Sequence, residues 1–288
     1  MYPTITTICV CGAGTMGSGI AQTCVAAGYN TILFDVNAEM LLKGKLAIEK
    51  GLHWLEDKQK ITPEAKEDML GRIQYTSQGG DCKAELIIEA IVEKLEIKAG
   101  LFNQLAKINP AETLFATNTS SLSITLLQQQ ILLPNRVVGM HFFNPAPVMK
   151  LVEVVKGAQT DETAVQAIYE LTKTLGKTPV ICKDAPGFIV NRVARPYYLE
   201  AMKLVEQGIA TIETVDALLE ANGFKMGPFK LMDLIGMDIN YAVSNIVYDA
   251  LGKPERLKPS LLQKEKVDAG NLGRKTGKGF YDYEEGSR

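Results

Sequence analysis

Three glycines near the start of the chain constrain its fold more than any other feature. An apolar run at residues 5–11 leads directly into Gly12, Gly14 and Gly17, and a second apolar run ends on Asp35. Glycine at the first position permits a tight turn, at the second it removes a Cβ that would block a bound pyrophosphate, and at the third it lets the following helix pack close to the strand. Between a predicted strand and a predicted helix, this spacing indicates a βαβ dinucleotide-binding unit.

The same segment predicts which dinucleotide binds. An acidic residue that ends the second strand can accept hydrogen bonds from both ribose hydroxyls and repels the 2′-phosphate of NADP, so Asp35 favours NAD. The unpaired amides at the start of the helix after the loop would face the phosphates. We therefore expect NAD to contact the glycine loop, including Thr15 and Met16 within it.

Composition limits the class of protein. A chain of 288 residues with 46% hydrophobic content can form two domains, and 31 Lys and Arg against 33 Asp and Glu give no reason to expect nucleic acid or an anionic membrane as a partner. The sequence has no long uninterrupted apolar stretch and no basic N-terminal flank, which favours a cytoplasmic protein. The five cysteines form no CxxC pair and fit reduced thiols in that compartment. Two widely separated histidines make no metal-ligand cluster, so no metal is expected.

Apolar runs and helical patterns alternate through the first two thirds of the chain. This alternation predicts a doubly wound α/β domain of the Rossmann type over residues 1–185. After that point the strand-like runs stop, and residues 186–288 read as a smaller all-helical domain for substrate binding and dimerisation. Predicted strands fall at residues 5–11, 31–35, 85–89, 113–117, 136–142, 150–155 and 178–182.

The segment that follows Asp35 is predicted to be helical as far as about residue 72. Asn37 is a candidate N-cap, and Thr62 followed by Pro63 marks a new helix start. We expect one apolar side on the first of these helices, formed by Leu41, Leu42, Leu46, Ile48, Leu52 and Leu55.

Only two histidines are available as a general base near neutral pH, His53 and His141. His141 ends a predicted strand, and ligands of open α/β sheets bind beyond the carboxyl ends of the strands. His53 lies beside Trp54 in a helical run and reads as a surface or packing residue. An isolated histidine at such a place is more often structural, but the residues around His141 favour the functional role, so His141 is the better candidate.

Two further groups belong to the same predicted edge of the sheet. Asn118 and the hydroxyl residues 119–121 follow another strand end, where they could enter the crevice or simply cap a helix that starts at Ser123. Glu153 lies inside a mostly apolar strand, where an unpaired carboxylate would be costly. An imidazolium at His141 would be a suitable partner, while a solvent-facing Glu153 is the alternative.

Four segments of the chain resemble those of 3-hydroxyacyl-CoA dehydrogenases. The segments are NTSSL at 118–122, HFFNPAPVMKLVEVV at 141–155, PGFIVNR at 186–192 and GRKTGKGFYDY at 273–283. The resemblance covers essentially the whole chain. The length of the chain is similar to that of the short bacterial 3-hydroxybutyryl-CoA dehydrogenases. It implies a homodimer that uses NAD to oxidise a 3-hydroxyacyl-CoA to the 3-ketoacyl-CoA and catalyses the reverse reaction.

The resemblance also implies roles for individual residues. His141 is similar to the catalytic base of the family and Glu153 to its carboxylate partner. Ser120 and Asn191 are similar to the groups that hold the reacting oxygen, with Asn144 a further substrate contact. The cofactor contacts of the family fall on Asp35, Glu93, Lys98, Asn118, Ser120 and Lys275. By their position alone, Glu93 and Lys98 read as exposed charges near a helix start.

Two departures from the family pattern concern the substrate. The contacts for the CoA tail land on Gly51 and Lys58, so only Lys58 could supply a phosphate contact, and it can equally be a solvated lysine. The segment at residues 212–229 also differs from many short-chain relatives. 3-Hydroxybutyryl-CoA is the first substrate expected, and 3-hydroxyadipyl-CoA is an alternative. A free hydroxy or sugar acid, or a crystallin-like structural protein that binds a nucleotide, are the remaining alternatives.

Overall fold

The computed structural model describes residues 4–283. The chain divides into two units, with the boundary between Ala185 and Pro186. Within residues 4–283, no helix is both long and apolar enough to cross a membrane.

The first unit is built on one sheet of eight strands in the order β3-β2-β1-β4-β5-β6-β7-β8. Strands β1 to β6 run parallel, β7 is antiparallel to β6, and β8 is parallel to β7. The strand order reverses between β1 and β4, where open α/β sheets leave a crevice for a ligand. The strands are β1 (Thr7–Cys11), β2 (Asn30–Phe34), β3 (Ile73–Thr76), β4 (Leu86–Glu89), β5 (Leu114–Thr117), β6 (Val137–Phe142), β7 (Leu151–Lys156) and β8 (Thr178–Lys183).

The central strands are short apolar runs because both faces of the sheet are covered. β1, β4, β5 and β6 are almost wholly buried, as expected of parallel strands with helices on each side. The helices of this unit are α1 (Thr15–Ala26), α2 (Ala38–Asp57), α3 (Pro63–Gly71), α4 (Leu95–Ala106), α5 (Ile124–Gln128) and α6 (Glu162–Thr174). A doubly wound fold of this kind confirms the predicted class.

Two local predictions for the segment after Asp35 need correction. The edge strand β3 was missed because it is only four residues long, half-buried and mixed in polarity. On α2, Leu42 and Leu46 are 57% and 54% exposed, so the apolar side is narrower than expected. Ile48 and Leu52 carry the packing instead, because they lie on the helix face that turns toward the sheet.

Helix starts in this region follow the predicted caps. The side chain of Asn37 accepts hydrogen bonds from the amides of Glu39 and Met40. The hydroxyl of Thr62 accepts one from Ala65. Both bonds satisfy amides that a helix start leaves unpaired.

The second unit is helical around its own apolar core. Its helices are α7 (Val190–Glu206), α8 (Ile212–Ala221), α9 (Pro228–Ile235), α10 (Met237–Ala250) and α11 (Leu261–Asp268). Met202, Phe229 and Met232 lie at the centre of that core, fully buried. Asp233 anchors the segment after α11, because its carboxylate accepts hydrogen bonds from the amides of Phe280 and Tyr281.

Candidate active site

The glycine loop occupies the crevice where the strand order reverses. Gly12 has φ +103°, a left-handed conformation that favours glycine, and a Cβ there would lie 2.6 Å from the carbonyl oxygen of Ala90. A Cβ on Gly17 would overlap the carbonyl oxygen of Gly12, so α1 starts against the loop itself. Around Gly14, in contrast, no atom lies within 4 Å of the Cβ position. The fold therefore requires glycine at the first and third positions, whereas the open space at Gly14 leaves room for a ligand.

Asp35 follows β2 directly and is fixed by backbone donors. Its Oδ2 accepts a hydrogen bond from the amide of Ala13 at 2.8 Å, and its Oδ1 accepts one from Asn37 at 2.9 Å. Asp35 thus ties the glycine loop to the start of α2, and it is only partly exposed.

A cavity of about 620 Å³ opens beside Asp35. Gly12 and Gly14 line one end, and the remaining wall is mostly apolar. A carboxylate at the rim of an apolar slot suits a ribose followed by an aromatic base. The apolar wall consists chiefly of Val36, Met40, Val92, Ile97 and Leu101.

His141 and Glu153 are brought together by strand register. β6 and β7 pair these two residues directly, and Nδ1 of His141 lies 2.7 Å from Oε2 of Glu153. Glu153 is 1% exposed, which excludes the solvent-facing alternative, and the ring of His141 packs against Phe143 with centroids 4.5 Å apart. A buried imidazole and carboxylate held in this way form a hydrogen-bonded acid–base pair.

The loop after β5 reaches the same edge of the sheet. Oδ1 of Asn118 accepts a hydrogen bond from the amide of Phe142 at 2.9 Å, which joins this loop to the residue after His141. Ser120 follows two positions later, and its amide donates to Oε1 of Glu93 at 3.1 Å. The N-cap of α5 is Ser123 itself, so Asn118 and residues 119–121 do not cap that helix, contrary to the alternative.

A network of three charged side chains, Glu89, Glu93 and Lys98, supports the Ser120 loop. Nζ of Lys98 lies 2.6 Å from Oε1 of Glu89 and 3.1 Å from Oε2 of Glu93. Glu93 in turn accepts hydrogen bonds from the hydroxyls of Thr119 and Ser121. Lys98 is only 1% exposed, so the prediction of an exposed charge was wrong for this residue. Lys98 can be buried because the carboxylates of Glu89 and Glu93 compensate its charge.

The pKa values of the two carboxyls in this network are shifted in opposite directions. Burial raises the pKa of Glu89 above its usual value, and Lys98 offsets only part of that effect. Burial would also raise the pKa of Glu93, but the Lys98 ammonium and the hydroxyls of Thr119 and Ser121 outweigh it and hold that pKa below its usual value. Glu93 is therefore the ionised partner that fixes the Ser120 loop.

The network also contains a residue that the sequence reading missed. Glu89 ends β4 and is fully buried, and its Oε2 accepts a hydrogen bond from Thr117 at 2.7 Å. Its Oε1 accepts another from the amide of Ile91 at 2.7 Å. The available signal was an acidic residue at the end of an otherwise apolar strand, next to the crevice.

Four predicted site residues lie elsewhere in the chain. Asn144 lies two residues beyond β6, and Asn191 lies in the first turn of α7 in the second unit. Lys275 forms an ion pair with Asp238 in the second unit. Lys58 is exposed at the end of α2.

Other sequence features have local explanations. A Cβ on Gly51 would lie 2.7 Å from Oε1 of Gln22, so a larger residue at this departure from the family pattern requires the Gln22 side chain to shift. His53 is a surface residue with Nδ1 3.2 Å from Glu56. In the described part of the chain, no three His, Cys, Asp or Glu side chains are grouped as a metal site.

Comparison with known proteins decides the family. Residues 7–185 match the model of the 3-hydroxyacyl-CoA dehydrogenase NAD-binding domain, and residues 187–283 match that of the C-terminal domain. The chain belongs to the 3-hydroxyacyl-CoA dehydrogenase family. This membership confirms the resemblance and identifies NAD as the cofactor, and the open cradle at Gly14 and the Asp35 carboxylate fit that molecule.

Individual members of the 3-hydroxyacyl-CoA dehydrogenase family match over nearly the whole chain. The 3-hydroxyadipyl-CoA dehydrogenase of Escherichia coli is 47% identical over 285 residues, which are 98% of this chain and 60% of that protein. The chain therefore spans 60% of the length of this relative. The 3-hydroxybutyryl-CoA dehydrogenase of Clostridioides difficile is 40% identical, with 96% of this chain and 99% of that protein covered. The crystal structure of (S)-3-hydroxybutyryl-CoA dehydrogenase from Ralstonia eutropha superposes with a TM-score of 0.93 at 38% identity, covering 98% of this chain and 100% of that one.

Proposed function

We propose that this chain is an NAD-dependent oxidoreductase that converts a 3-hydroxyacyl-CoA to the 3-ketoacyl-CoA and also catalyses the reverse reaction. One observation carries the proposal. His141 and Glu153 form a buried hydrogen-bonded pair at the same sheet edge as the glycine loop and the Asp35 cavity. A general base beside a nicotinamide site is what removal of a hydroxyl proton requires.

His141 acts as the base because Glu153 controls which nitrogen carries the proton. A carboxylate 2.7 Å from Nδ1 favours the tautomer with hydrogen on Nδ1, so Nε2 is the basic nitrogen that accepts the proton from the substrate hydroxyl. When the proton arrives, the Glu153 carboxylate stabilises the imidazolium. Bound NAD supplies the hydride acceptor. In the reverse direction His141 returns the proton to the ketone oxygen.

Ser120 and Asn191 orient the reacting oxygen, and Asn144 contacts the acyl portion. Asn118 holds the Ser120 loop against β6 through the amide of Phe142. Orientation of this kind lowers the entropic part of the barrier. Glu93 and Lys98 support the nicotinamide side of the site, with Lys98 acting through Glu93 because its ammonium is enclosed. Lys275 is a further cofactor residue, and Lys58 a contact for the CoA phosphates.

The two units divide these tasks. The unit that ends at Ala185 binds NAD, and the unit that begins at Pro186 binds the acyl group and forms a homodimer. Exposed apolar side chains on the second unit support the dimer, among them Val193, Leu234 and Ile239. Unpaired cysteines support a reducing compartment such as the cytoplasm. Sedimentation equilibrium should give twice the mass of the chain, and a monomer would contradict the dimer.

3-Hydroxybutyryl-CoA is the first substrate to test, in keeping with the relative from Clostridioides difficile. 3-Hydroxyadipyl-CoA is the second, because the relative at 47% identity carries that name. Consumption of NADH with acetoacetyl-CoA, followed by absorbance, tests the reaction. Free acetoacetate in the same assay tests the hydroxy-acid alternative, and NADH binding without turnover on any thioester would indicate a structural protein.

A further inference from the structure

Arg195 is a buried cation in the second unit, one helical turn after Asn191 on α7. It is 3% exposed. Its Nε donates to the carbonyl oxygen of Asn191 at 3.2 Å. Its Nη1 donates to the carbonyl oxygen of Asn240 at 2.9 Å and to Oγ of Ser244 at 3.0 Å, both on α10. The guanidinium is thus held rigidly between two helices, with its position tied to the backbone of Asn191.

All of these acceptors are neutral. Among residues 4–283, Arg195 forms no ion pair with a carboxylate, and its guanidinium lies 5.0 Å from the ring centroid of Tyr198. Burial lowers the pKa of Arg195 to about 10, so it stays charged at neutral pH. A buried cation without a counterion is unfavourable, and proteins usually supply an anion at such a place.

Two donors in this cluster lack an acceptor in the described part of the chain. Nη2 of Arg195 makes no hydrogen bond, and Nδ2 of Asn240 makes none although Asn240 is 1% exposed. The orientation of Asn240 is fixed by its neighbour. Oε1 of Gln263 accepts from the amide of Ser260, so Nε2 of Gln263 is the group that donates to Oδ1 of Asn240. The Asn240 amide therefore presents a donor, and the cluster has donors in excess of acceptors.

We infer that Arg195 and Asn240 bind a carboxylate at the far end of the acyl chain, and that the preferred substrate is a 3-hydroxyacyl-CoA of a dicarboxylic acid. This inference rests on the proposed function, in which Asn191 orients the oxygen on C3. Side chains at positions i and i+4 of a helix lie about 5–6 Å apart on one face. In a six-carbon chain, the terminal carboxylate is three carbon–carbon bonds from C3, a span of about 4 Å, so a substrate held at C3 by Asn191 places its carboxylate near the residue one turn later. A planar guanidinium is suited to a carboxylate, which it can bind with two parallel hydrogen bonds.

A purely structural role for Arg195 predicts something different. In that case its loss would weaken the link between α7 and α10 and lower activity on every acyl-CoA by the same factor. A carboxylate subsite instead changes the ratio between two substrates that differ only at the end of the acyl chain. That ratio is insensitive to the fraction of enzyme that is folded.

The test compares 3-hydroxyadipyl-CoA with 3-hydroxyhexanoyl-CoA, which has the same number of carbons and a methyl group in place of the carboxylate. We expect the unmodified enzyme to have the higher kcat/KM on the dicarboxylic substrate. Arg195→Met should lower kcat/KM on 3-hydroxyadipyl-CoA by about 10- to 100-fold more than on 3-hydroxyhexanoyl-CoA, as for loss of a charged hydrogen bond. Arg195→Lys should lower it by less. Arg256→Met, an exposed arginine of the same unit, is the matched control and should leave the ratio unchanged.

The outcomes separate this inference from the proposed function. Activity on 3-hydroxyhexanoyl-CoA equal to or above that on 3-hydroxyadipyl-CoA in the unmodified enzyme would overturn the carboxylate subsite and leave the dehydrogenase activity intact. An equal loss on both substrates in Arg195→Met would overturn it as well. If Arg195→Met does not fold, the ratio in the unmodified enzyme and in Arg195→Lys decides. Absence of activity on both thioesters would count against the proposed function itself.

Discussion

Nδ1 of His141 lies 2.7 Å from Oε2 of Glu153 because the two residues are direct partners across the antiparallel strands β6 and β7. The pairing is a property of the sheet, so the orientation of the imidazole does not depend on a flexible loop. Both side chains are buried, which strengthens the hydrogen bond between them.

Replacement of Glu153 by Gln should therefore impair the chemical step. The amide cannot stabilise an imidazolium, and we expect kcat to fall by about 10²- to 10⁴-fold, the range for loss of assisted proton transfer. Affinity for NADH, measured by fluorescence titration, should stay within a factor of about two, since Glu153 lies on β7, four strands away from β1 and the glycine loop that follows it. Glu112→Gln, at an exposed position, is the control. A Glu153→Gln enzyme with kcat close to the unmodified value would contradict the pairing as a catalytic feature.

The glycine loop offers a matched pair of substitutions. Gly17→Ala should destabilise the first unit, because the new Cβ overlaps the carbonyl oxygen of Gly12. Gly14→Ala meets no atom within 4 Å and should fold normally, yet weaken NADH binding by at least about 10-fold, as the methyl group enters the pyrophosphate space. Thermal unfolding and NADH titration measure the two effects. Unaltered NADH affinity in Gly14→Ala would exclude the loop as the pyrophosphate site.

Asp35 should determine the choice between NAD and NADP. Asp35→Ser removes the carboxylate that would bind the ribose hydroxyls, and we expect kcat/KM with NAD to fall by about 10- to 100-fold while that with NADP rises. The link to the Ala13 amide is lost too, so thermal unfolding should be recorded alongside. Asp57→Ser, an exposed aspartate on α2, provides the comparison. A cofactor ratio that does not move in Asp35→Ser would refute this assignment.

The contribution of Lys98 to the free energy of unfolding should be large and should depend on pH. Lys98→Met leaves Glu89 and Glu93 without their shared ammonium, and we expect a loss of about 3–5 kcal/mol in the free energy of unfolding at pH 7. Glu89 already has a raised pKa, so it takes up a proton as the pH falls, and the loss should shrink at pH 5. Urea denaturation at both pH values measures it, with Lys107→Met at the exposed end of α4 as the control. An identical loss at pH 7 and pH 5 would rule out this electrostatic account.

Local sequence patterns were sufficient for most of the sheet. The buried strands are short runs of apolar residues between helical segments, and the glycine loop has a spacing that few other structures require. Strand β3 was not predicted because it is a half-buried edge strand and lacks a continuous apolar run. Patterns of this kind report the period of burial along the chain, so they identify elements that are buried on both faces most readily.

Such local patterns could not predict contacts between segments that are distant in the sequence. Lys98 reads as a surface charge until the fold places Glu89 and Glu93 on either side of it. In the sequence, Arg195 looks like any other helix residue. Only the fold shows that it is buried against α10, where its acceptors are neutral. The pairing of His141 with Glu153 was anticipated because a carboxylate inside an apolar strand requires a partner, and the chain has few candidates.

The most direct test of the proposed mechanism is the turnover of His141→Gln with acetoacetyl-CoA and NADH, measured together with NADH affinity. We expect turnover to be abolished, while NADH binds as tightly as in the unmodified enzyme. Turnover near the unmodified rate would show that His141 is not the base and would contradict the proposed mechanism.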